Sequence, residues 1–355
     1  MSTEPVPSVA QADRLTEVLR RSGMLENGQV RDIVVESSRD TVISHITRLR
    51  LDCDDAAGTA PASLILKTGH RARAATEGWT PGRQEVAFYN HVAPAMTDRL
   101  VPRCFEADWN EETKAWHILL EDLTDTHFIA TTWPLPPTAG QCERIVDAWA
   151  RFHAAWWDDS RLGVSVGTWP EPGATDKFLR DLAERFTRFA DLLGDRLAPE
   201  RREIYERLLV AAPRLLGRYR TRRHVTIAHH DSHVWNCFLP RDGGDDVRLF
   251  DWDSWRIGLG TSDLAYMMAT HWYPDRRRRL ERPLLDRYHA ALLARGVTGY
   301  DRDALDDDYR LSALWQITTP IWQATHDIPP MIWWSHFERT MLAFDDLGCR
   351  DLLTA

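Results

Sequence analysis

The spacing of apolar and polar positions divides the chain into two textures. Residues 10–25 place Leu15, Val18, Leu19 and Leu25 at helical intervals with Gly23 near the end, and predict a helix. Segments 32–37, 41–51 and 62–68 are rich in β-branched residues and separated by polar turns, which predicts an antiparallel meander. After a loop over 71–81, residues 83–92 predict a helix that Pro94 stops. Two further strand-like runs, 101–107 and 116–120, complete one small sheet with a helix inserted after its third strand. From Pro136 onward the periodicity becomes helical, over 139–157, 176–193, 199–218, 261–270, 276–295, 306–315 and 330–347. A single β-rich interruption, 225–255, breaks that run. The expected division is a first domain over 1–121 and a second over 122–355, with 121–126 as hinge.

Length and composition narrow the reading. A chain of 355 residues suits two modest domains, because a single core seldom grows beyond roughly 250–300 residues. The formal charge, 44 − 53 = −9, argues against a general nucleic-acid binder. The 5 cysteines are scattered without a CxxC pair, which excludes a zinc ribbon or disulfide scaffold and points to a reducing compartment. The start, Met1-Ser2-Thr3-Glu4-Pro5, has no basic segment followed by an apolar one, and no apolar run reaches the ~18–20 residues of a spanning helix. A cytoplasmic chain without membrane or nucleic-acid partners is expected. Tryptophan, at 16 residues, is unusually abundant.

The chemistry gathers in the β-rich interruption. His229-His230-Asp231-Ser232-His233-Val234-Trp235-Asn236 leads into two apolar runs, 237–239 and 247–250, around an Asp-Gly-Gly turn, and then into Asp251-Trp252-Asp253. The runs predict a β-hairpin, whose antiparallel pairing would bring Asn236 and Asp251 to one edge beside Asp231. An amide oxygen and a carboxylate are hard donors that suit Mg²⁺, and Asp231 is placed to orient or deprotonate a hydroxyl. H-x-D-x-x-x-x-N, then a hairpin, then Asp is the protein-kinase order of catalytic base and metal-binding residues. Singly, each is an ordinary loop residue that satisfies backbone groups; together they point to phosphoryl transfer. The cluster His229, His230, Asp231 and His233 also permits a zinc or iron hydrolase.

A kinase further needs a lysine on the third strand and a glutamate on the next helix. Lys67 ends the third strand-like run and Glu85 lies in the predicted helix. The connection 36–41 would cover nucleotide phosphates, but it has no glycine, so hydroxyl and backbone donors such as those of Ser38 would serve. No G-x-x-x-x-G-K-[ST] exists, which excludes a P-loop enzyme. Glu121 and Leu123, at the hinge, would offer backbone groups to adenine.

On these residues, together with Glu85-Val86-Ala87-Phe88-Tyr89, the helix segment Trp149-Ala150-Arg151-Phe152-His153-Ala154-Ala155 and Gly260-Thr261-Ser262-Asp263-Leu264-Ala265, the chain resembles the aminoglycoside phosphotransferase and choline kinase group over nearly its whole length. The resemblance implies an α+β, bilobal protein-kinase-like fold: a small antiparallel-sheet N-lobe with one key helix, and a larger, mainly helical C-lobe. It implies Asp231 as catalytic base, Asn236 and Asp251 as Mg²⁺ ligands, Lys67 held by Glu85 as the phosphate contact, and ATP or GTP as co-substrate. His229 and Asp263 would brace the catalytic loop. Two departures stand out: His230 replaces the group's usual glycine, and the nucleotide loop lacks glycine.

The acceptor, a small hydroxylated molecule such as an antibiotic, aminoalcohol or sugar, would be read by the helical part. His233, Trp322, Asp327, Trp333 and Trp334 are the expected lining, since aromatic walls favour flat or cationic ligands. For any single tryptophan, core packing is the plainer role. A pseudokinase that binds nucleotide without turnover is the remaining alternative.

Overall fold

The computed structural model describes residues 5–41, 43–54, 58, 60–70, 80–326 and 328–354. The chain forms two compact units. The first comprises Met1–Phe128 and Phe238–Trp255, the second Ile129–Cys237 and Arg256–Ala355. The expectation of a single break after residue 121 does not include this return of 238–255. The return has a backbone cause: Leu249 donates to the Leu100 carbonyl at 2.7 Å and Arg241 to that of Thr126 at 2.9 Å.

The first unit opens with α1 (Ala12–Arg21), whose Leu15, Val18 and Leu19 are buried on one face. Five strands follow: β1 (Val30–Asp40), β2 (Ser44–Cys53), β3 (Ser63–Gly69), β4 (Cys104–Trp109) and β5 (Trp116–Glu121). They form one antiparallel sheet in the order β1-β2-β3-β5-β4. Alternation places Val35, Leu49, Leu64, Leu66 and Leu119 in a shared core with α1. Between β3 and β4 stands α2 (Arg83–Ala87), which continues through a π-turn over Phe88–Val92 before Pro94. The expected single helix is thus wound more widely in its second half. The strand β6 (His127–Ile129), which the sequence pattern does not show, joins β8 (Cys237–Pro240) and β9 (Arg248–Leu249) in a small sheet of order β6-β8-β9. The expected hairpin is therefore one edge of a larger unit.

The second unit is mainly helical. The capping box of Thr138 and Gln141 starts α3 (Ala139–Ala155). It is followed by α4 (Ala174–Leu193), α5 (Pro199–Leu215) and the short α6 (Gly217–Arg220). A two-stranded ribbon of β7 (Thr226–Ala228) and β10 (Arg256–Gly258) flanks the catalytic segment in sequence. Then come α7 (Thr261–Ala265), extended by a π-turn over Tyr266–Thr270, α8 (Pro274–Ala294), α9 (Arg302–Gln316), α10 (Thr319–Ala324) and α11 (Pro330–Asp346). The fully buried Trp149, Trp156, Phe189, Tyr205, Trp272, Tyr288 and Phe337 lie in this unit, and much of the tryptophan surplus is core. No helix among the described residues is long and apolar enough to cross a membrane.

Candidate active site

In the first unit, β3 carries Lys67 inward. Its Nζ donates to Glu85 Oε2 at 2.5 Å and to Asp251 Oδ1 at 2.6 Å. Lys67 and Glu85 are both buried, whereas the Asp251 side chain is 33% exposed. Burial alone would discharge Lys67, but the charges of Asp251 and Glu85 outweigh it and raise its pKa, so the ammonium persists. Asp251 has φ +68, in the left-handed region. A non-glycine residue there costs on the order of 1–3 kcal/mol and persists only when its surroundings impose it.

Three contacts within this unit fix the segment after Asp251 to α2. Asp253 accepts from the Gly82 amide at 2.8 Å, Trp255 Nε1 donates to the Gln84 carbonyl at 2.7 Å, and Trp252 stacks on Phe88 with centroids 4.0 Å apart. Gly82 has φ +82, and a Cβ there would run into the Trp116 ring, so both conformation and space call for glycine. Burial and the nearby Glu85 push the Asp253 carboxyl up to about 7. Against one ammonium, Glu85, Asp251 and Asp253 make this cluster rich in carboxylate.

Ser38 stands within β1, paired with Thr47, and not on a loop over the phosphates. The ladder continues because the β1–β2 turn is tight, with the Thr41 amide donating to the Ser44 carbonyl at 2.7 Å. Arg48 also ties to Glu36 across the strands. The Glu121 side chain accepts from Arg248 at 2.9 Å and from the Arg103 amide at 2.8 Å. The Leu123 carbonyl accepts from the His127 amide at 2.8 Å.

In the second unit, the loop from His229 to Asn236 is organised by a buried carboxylate. Asp263, at the start of α7, accepts from the amides of His229 and His230, both at 2.8 Å, and from His153 Nε2 at 3.1 Å. Its own carbonyl accepts from Ser232 Oγ at 2.9 Å. Burial would raise the Asp263 carboxyl, but these partners pull it down to about 2. His153, on α3, accepts in turn from Tyr288 Oη at 2.8 Å. Gly260 makes room for that pair: a Cβ there would run into Tyr288 Oη and lie 2.8 Å from His153 Nδ1.

Within the loop, the Asp231 amide donates to His229 Nδ1 at 3.1 Å. Asn236 Nδ2 donates to the Asp231 carbonyl at 2.9 Å and to its Oδ2 at 3.3 Å. The amide nitrogen is thus engaged by the loop, which leaves the oxygen as the donor atom Asn236 can offer a cation. His230 has φ +64, which accounts for the glycine expected there. Arg256 donates to its Nδ1 at 3.0 Å, while burial and this arginine lower its pKa well below the ordinary value. Gly258 accommodates the ring, since a Cβ there would lie 3.2 Å from His230 Nε2.

Of the expected acceptor lining, Trp333 and Trp334 lie side by side, with ring centroids 6.1 Å apart. Trp333 lies against Phe189 and is buried, Trp334 lies against Phe337, and Trp322 stacks on His326 while 42% exposed. Asp327 lies outside the described residues. His233 instead neighbours Tyr266 and His271. Tyr266 bonds Asp231 through its side chain; its place in a π-turn gave no periodic signal by which to find it. Among the described residues, no three of His, Cys, Asp or Glu are grouped so as to hold a metal ion, so the histidine cluster expected for a hydrolase does not form; His229 and His230 are turned to loop-bracing contacts.

Residues 38–158 match the sequence profile of the ecdysteroid kinase-like family. A comparison with curated protein sequences gives no match. Among solved structures, the chain is similar to a candidate aminoglycoside phosphotransferase from Ralstonia eutropha JMP134 (14% identity, 96% of this chain and 98% of that one, TM-score 0.58). It is also similar to a Plasmodium vivax ethanolamine kinase (11%, 90% and 83%, 0.56) and to a microcompartment-associated aminopropanol kinase (11%, 96% and 99%, 0.54). The chain thus has the protein-kinase-like α+β fold shared by small-molecule kinases, and its residues 38–158 carry the pattern of the ecdysteroid kinase-like family.

Proposed function

We propose that the protein is a phosphotransferase that moves the γ-phosphate of ATP or GTP to a hydroxyl of a small molecule. The observation that carries this reading is the buried pairing of Lys67 with Glu85, the strand-lysine and helix-glutamate pair on which phosphoryl transfer by protein kinases depends, with Asp251 beside it. Asn236 and Asp251 offer hard oxygen donors, and the carboxylate-rich surroundings of Lys67 suit a divalent cation; these two residues would hold Mg²⁺. Bound there, Mg²⁺ supplies neutralisation of the nucleotide phosphates. Lys67 steadies the α/β end as a point charge. Asp231 accepts the proton of the acceptor hydroxyl as its oxygen bonds to the γ-phosphorus and the bond to the ADP oxygen breaks. Asn236 and Tyr266 fix the Asp231 carboxylate, and Asp263 fixes the backbone that carries it. Glu121 and Leu123 would offer the base the backbone groups they have left, the carbonyl of the first and the amide of the second, since the Glu121 amide and the Leu123 carbonyl are already engaged.

The test is ADP release with Mg-ATP over a panel of hydroxylated antibiotics, aminoalcohols and sugars. Asp231→Asn should lower acceptor-dependent ADP release by about 10²–10⁴-fold while Mg-ATP still raises the melting temperature. Unchanged turnover in that variant would remove Asp231 from its role. Nucleotide stabilisation with no turnover on any acceptor would favour the pseudokinase.

A further inference from the structure

Beside Asp231, and wholly within the second unit, three imidazoles stand in a row. His233 Nε2 is 3.7 Å from Asp231 Oδ2. The His233 ring is 6.0 Å from that of His271, which is 4.7 Å from that of His336. Trp235 lies 5.5 Å from both His233 and His271, and Tyr266 lies 5.1 Å from His271. The row is open at the Asp231 end, where the side chains of Asp231 and His233 are 36% and 24% exposed. Two buried polar atoms in it, His233 Nδ1 and Trp235 Nε1, have no hydrogen-bond partner among the described residues. Buried polar atoms ordinarily have one, so these two invite a ligand's polar groups.

The tautomers define what the row offers. His271 Nδ1 donates to the Tyr266 carbonyl at 2.8 Å, and His336 Nδ1 to Gln323 Oε1 at 2.9 Å. Each ring therefore presents Nε2 as an acceptor, suited to an O–H donor. Burial keeps both rings uncharged, helped by Arg339 at His336, which is lowered to about 3, and by the neighbouring His336 and His233 at His271, which is lowered well below its ordinary value. Arg339 itself lies over the Tyr273 ring at 4.6 Å. The charged groups bearing on the buried rings are Arg339 and, when it carries a proton, His233, which itself stands 3.7 Å from Asp231. An ammonium brought into such surroundings would lose its water beside a guanidinium, and Asp231, the carboxylate it would need, is engaged as base.

Resting on the phosphotransfer reading, we infer that His233, His271, His336 and Trp235 form the acceptor subsite, and that it selects an uncharged alcohol over an ammonium-bearing one.

The test uses cyclohexanol and trans-4-aminocyclohexanol as matched probes at pH 7.5, followed through the imidazole C2–H resonances. These signals are assigned with His233→Gln, His271→Gln and His336→Gln. The alcohol should shift all three at a concentration at least tenfold below that needed by the amine. His271→Glu, or His233→Glu at the more exposed position should the first fail to fold, should reverse the order. Equal or tighter binding of the amine by the unaltered protein, or resonances unmoved by the alcohol, would overturn the inference. Mg-ATP stabilisation measured on the same samples separates the two readings. Its absence counts against phosphotransfer alone, whereas its presence with amine preference counts against the subsite alone.

Discussion

The two units hold their chemical groups by opposite means. In the first, charge confronts charge: one ammonium, Lys67, is pulled between Glu85 and Asp251, with Asp253 two residues on. In the second, one buried carboxylate, Asp263, is spent on two loop amides and an imidazole. A charge cluster with surplus carboxylate is poised to change when a cation and phosphates arrive. A loop tied through its own backbone is set in advance, so on the proposed reading Asp231 would need no rearrangement to meet a hydroxyl. The first arrangement tunes electrostatics, and the second tunes geometry.

The sharpest way to break this contrast is Asp263→Ala. It strands two buried amides and an imidazole, and should cost on the order of 3–5 kcal/mol of stability, read as a fall in denaturant midpoint, together with loss of ADP release. A stable, active variant would show that the loop is held by something else. Lys67→Met should cost on the order of 3 kcal/mol because Glu85 stays buried without its cation. Adding Glu85→Gln should return about 1–2 kcal/mol of that loss without restoring turnover. Additive losses would mean that the pair is not coupled as drawn. Gly260→Ala tests the geometric side by crowding His153 and Tyr288, at a cost of about 1–3 kcal/mol. Lower turnover at unchanged nucleotide stabilisation would place its effect in the Asp231 loop.

Much of this arrangement was legible in the residues. Lys67 on the third strand, Glu85 on the following helix and the 237–249 hairpin are patterns set by strand alternation and turn chemistry, and the structure has all three. The division into a sheet-rich and a helix-rich part followed from the switch in periodicity, and the protein-kinase-like fold from the resemblance of the motifs. What the sequence could not reveal was set by distance along the chain. Whether Ser38 lies on a loop depends on ladder bonds to β2, and β6 forms only because β8 returns beside it. The aromatic residues around 322–334 looked alike in sequence, yet burial sends Trp333 into the core. His271 and His336, unremarked in the linear pattern, are brought beside His233 by α7 and α11, joining residues far apart in the chain.

The smallest effect in this series concerns protons, and it separates the two kinds of histidine contact. His336 has its pKa lowered from 6.5 to about 3 by burial and by Arg339. Above pH 6.5 the folded and unfolded chains both keep this ring neutral, and it adds nothing to the pH dependence. As pH falls below 6.5 the unfolded chain takes up a proton that the folded one refuses, so stability declines from there toward pH 3. Between pH 6 and 5 that single ring should account for about 1 kcal/mol. Asp263, lowered from 3.8 to about 2, acts in the same direction but in a lower window: its stabilisation is complete above 3.8 and is lost as pH falls from there through 2. His271 and His230 share this window, so urea titrations of the unaltered chain and of the His336 variant at pH 6 and 5 isolate this imidazole by difference. His336→Gln should flatten the slope between those two values by up to one proton's worth while leaving the steep loss below pH 4 in place. An unchanged slope would mean that His336 takes up its proton in the folded state as readily as in the unfolded one, and that the row beside Asp231 is not the uncharged surface described above.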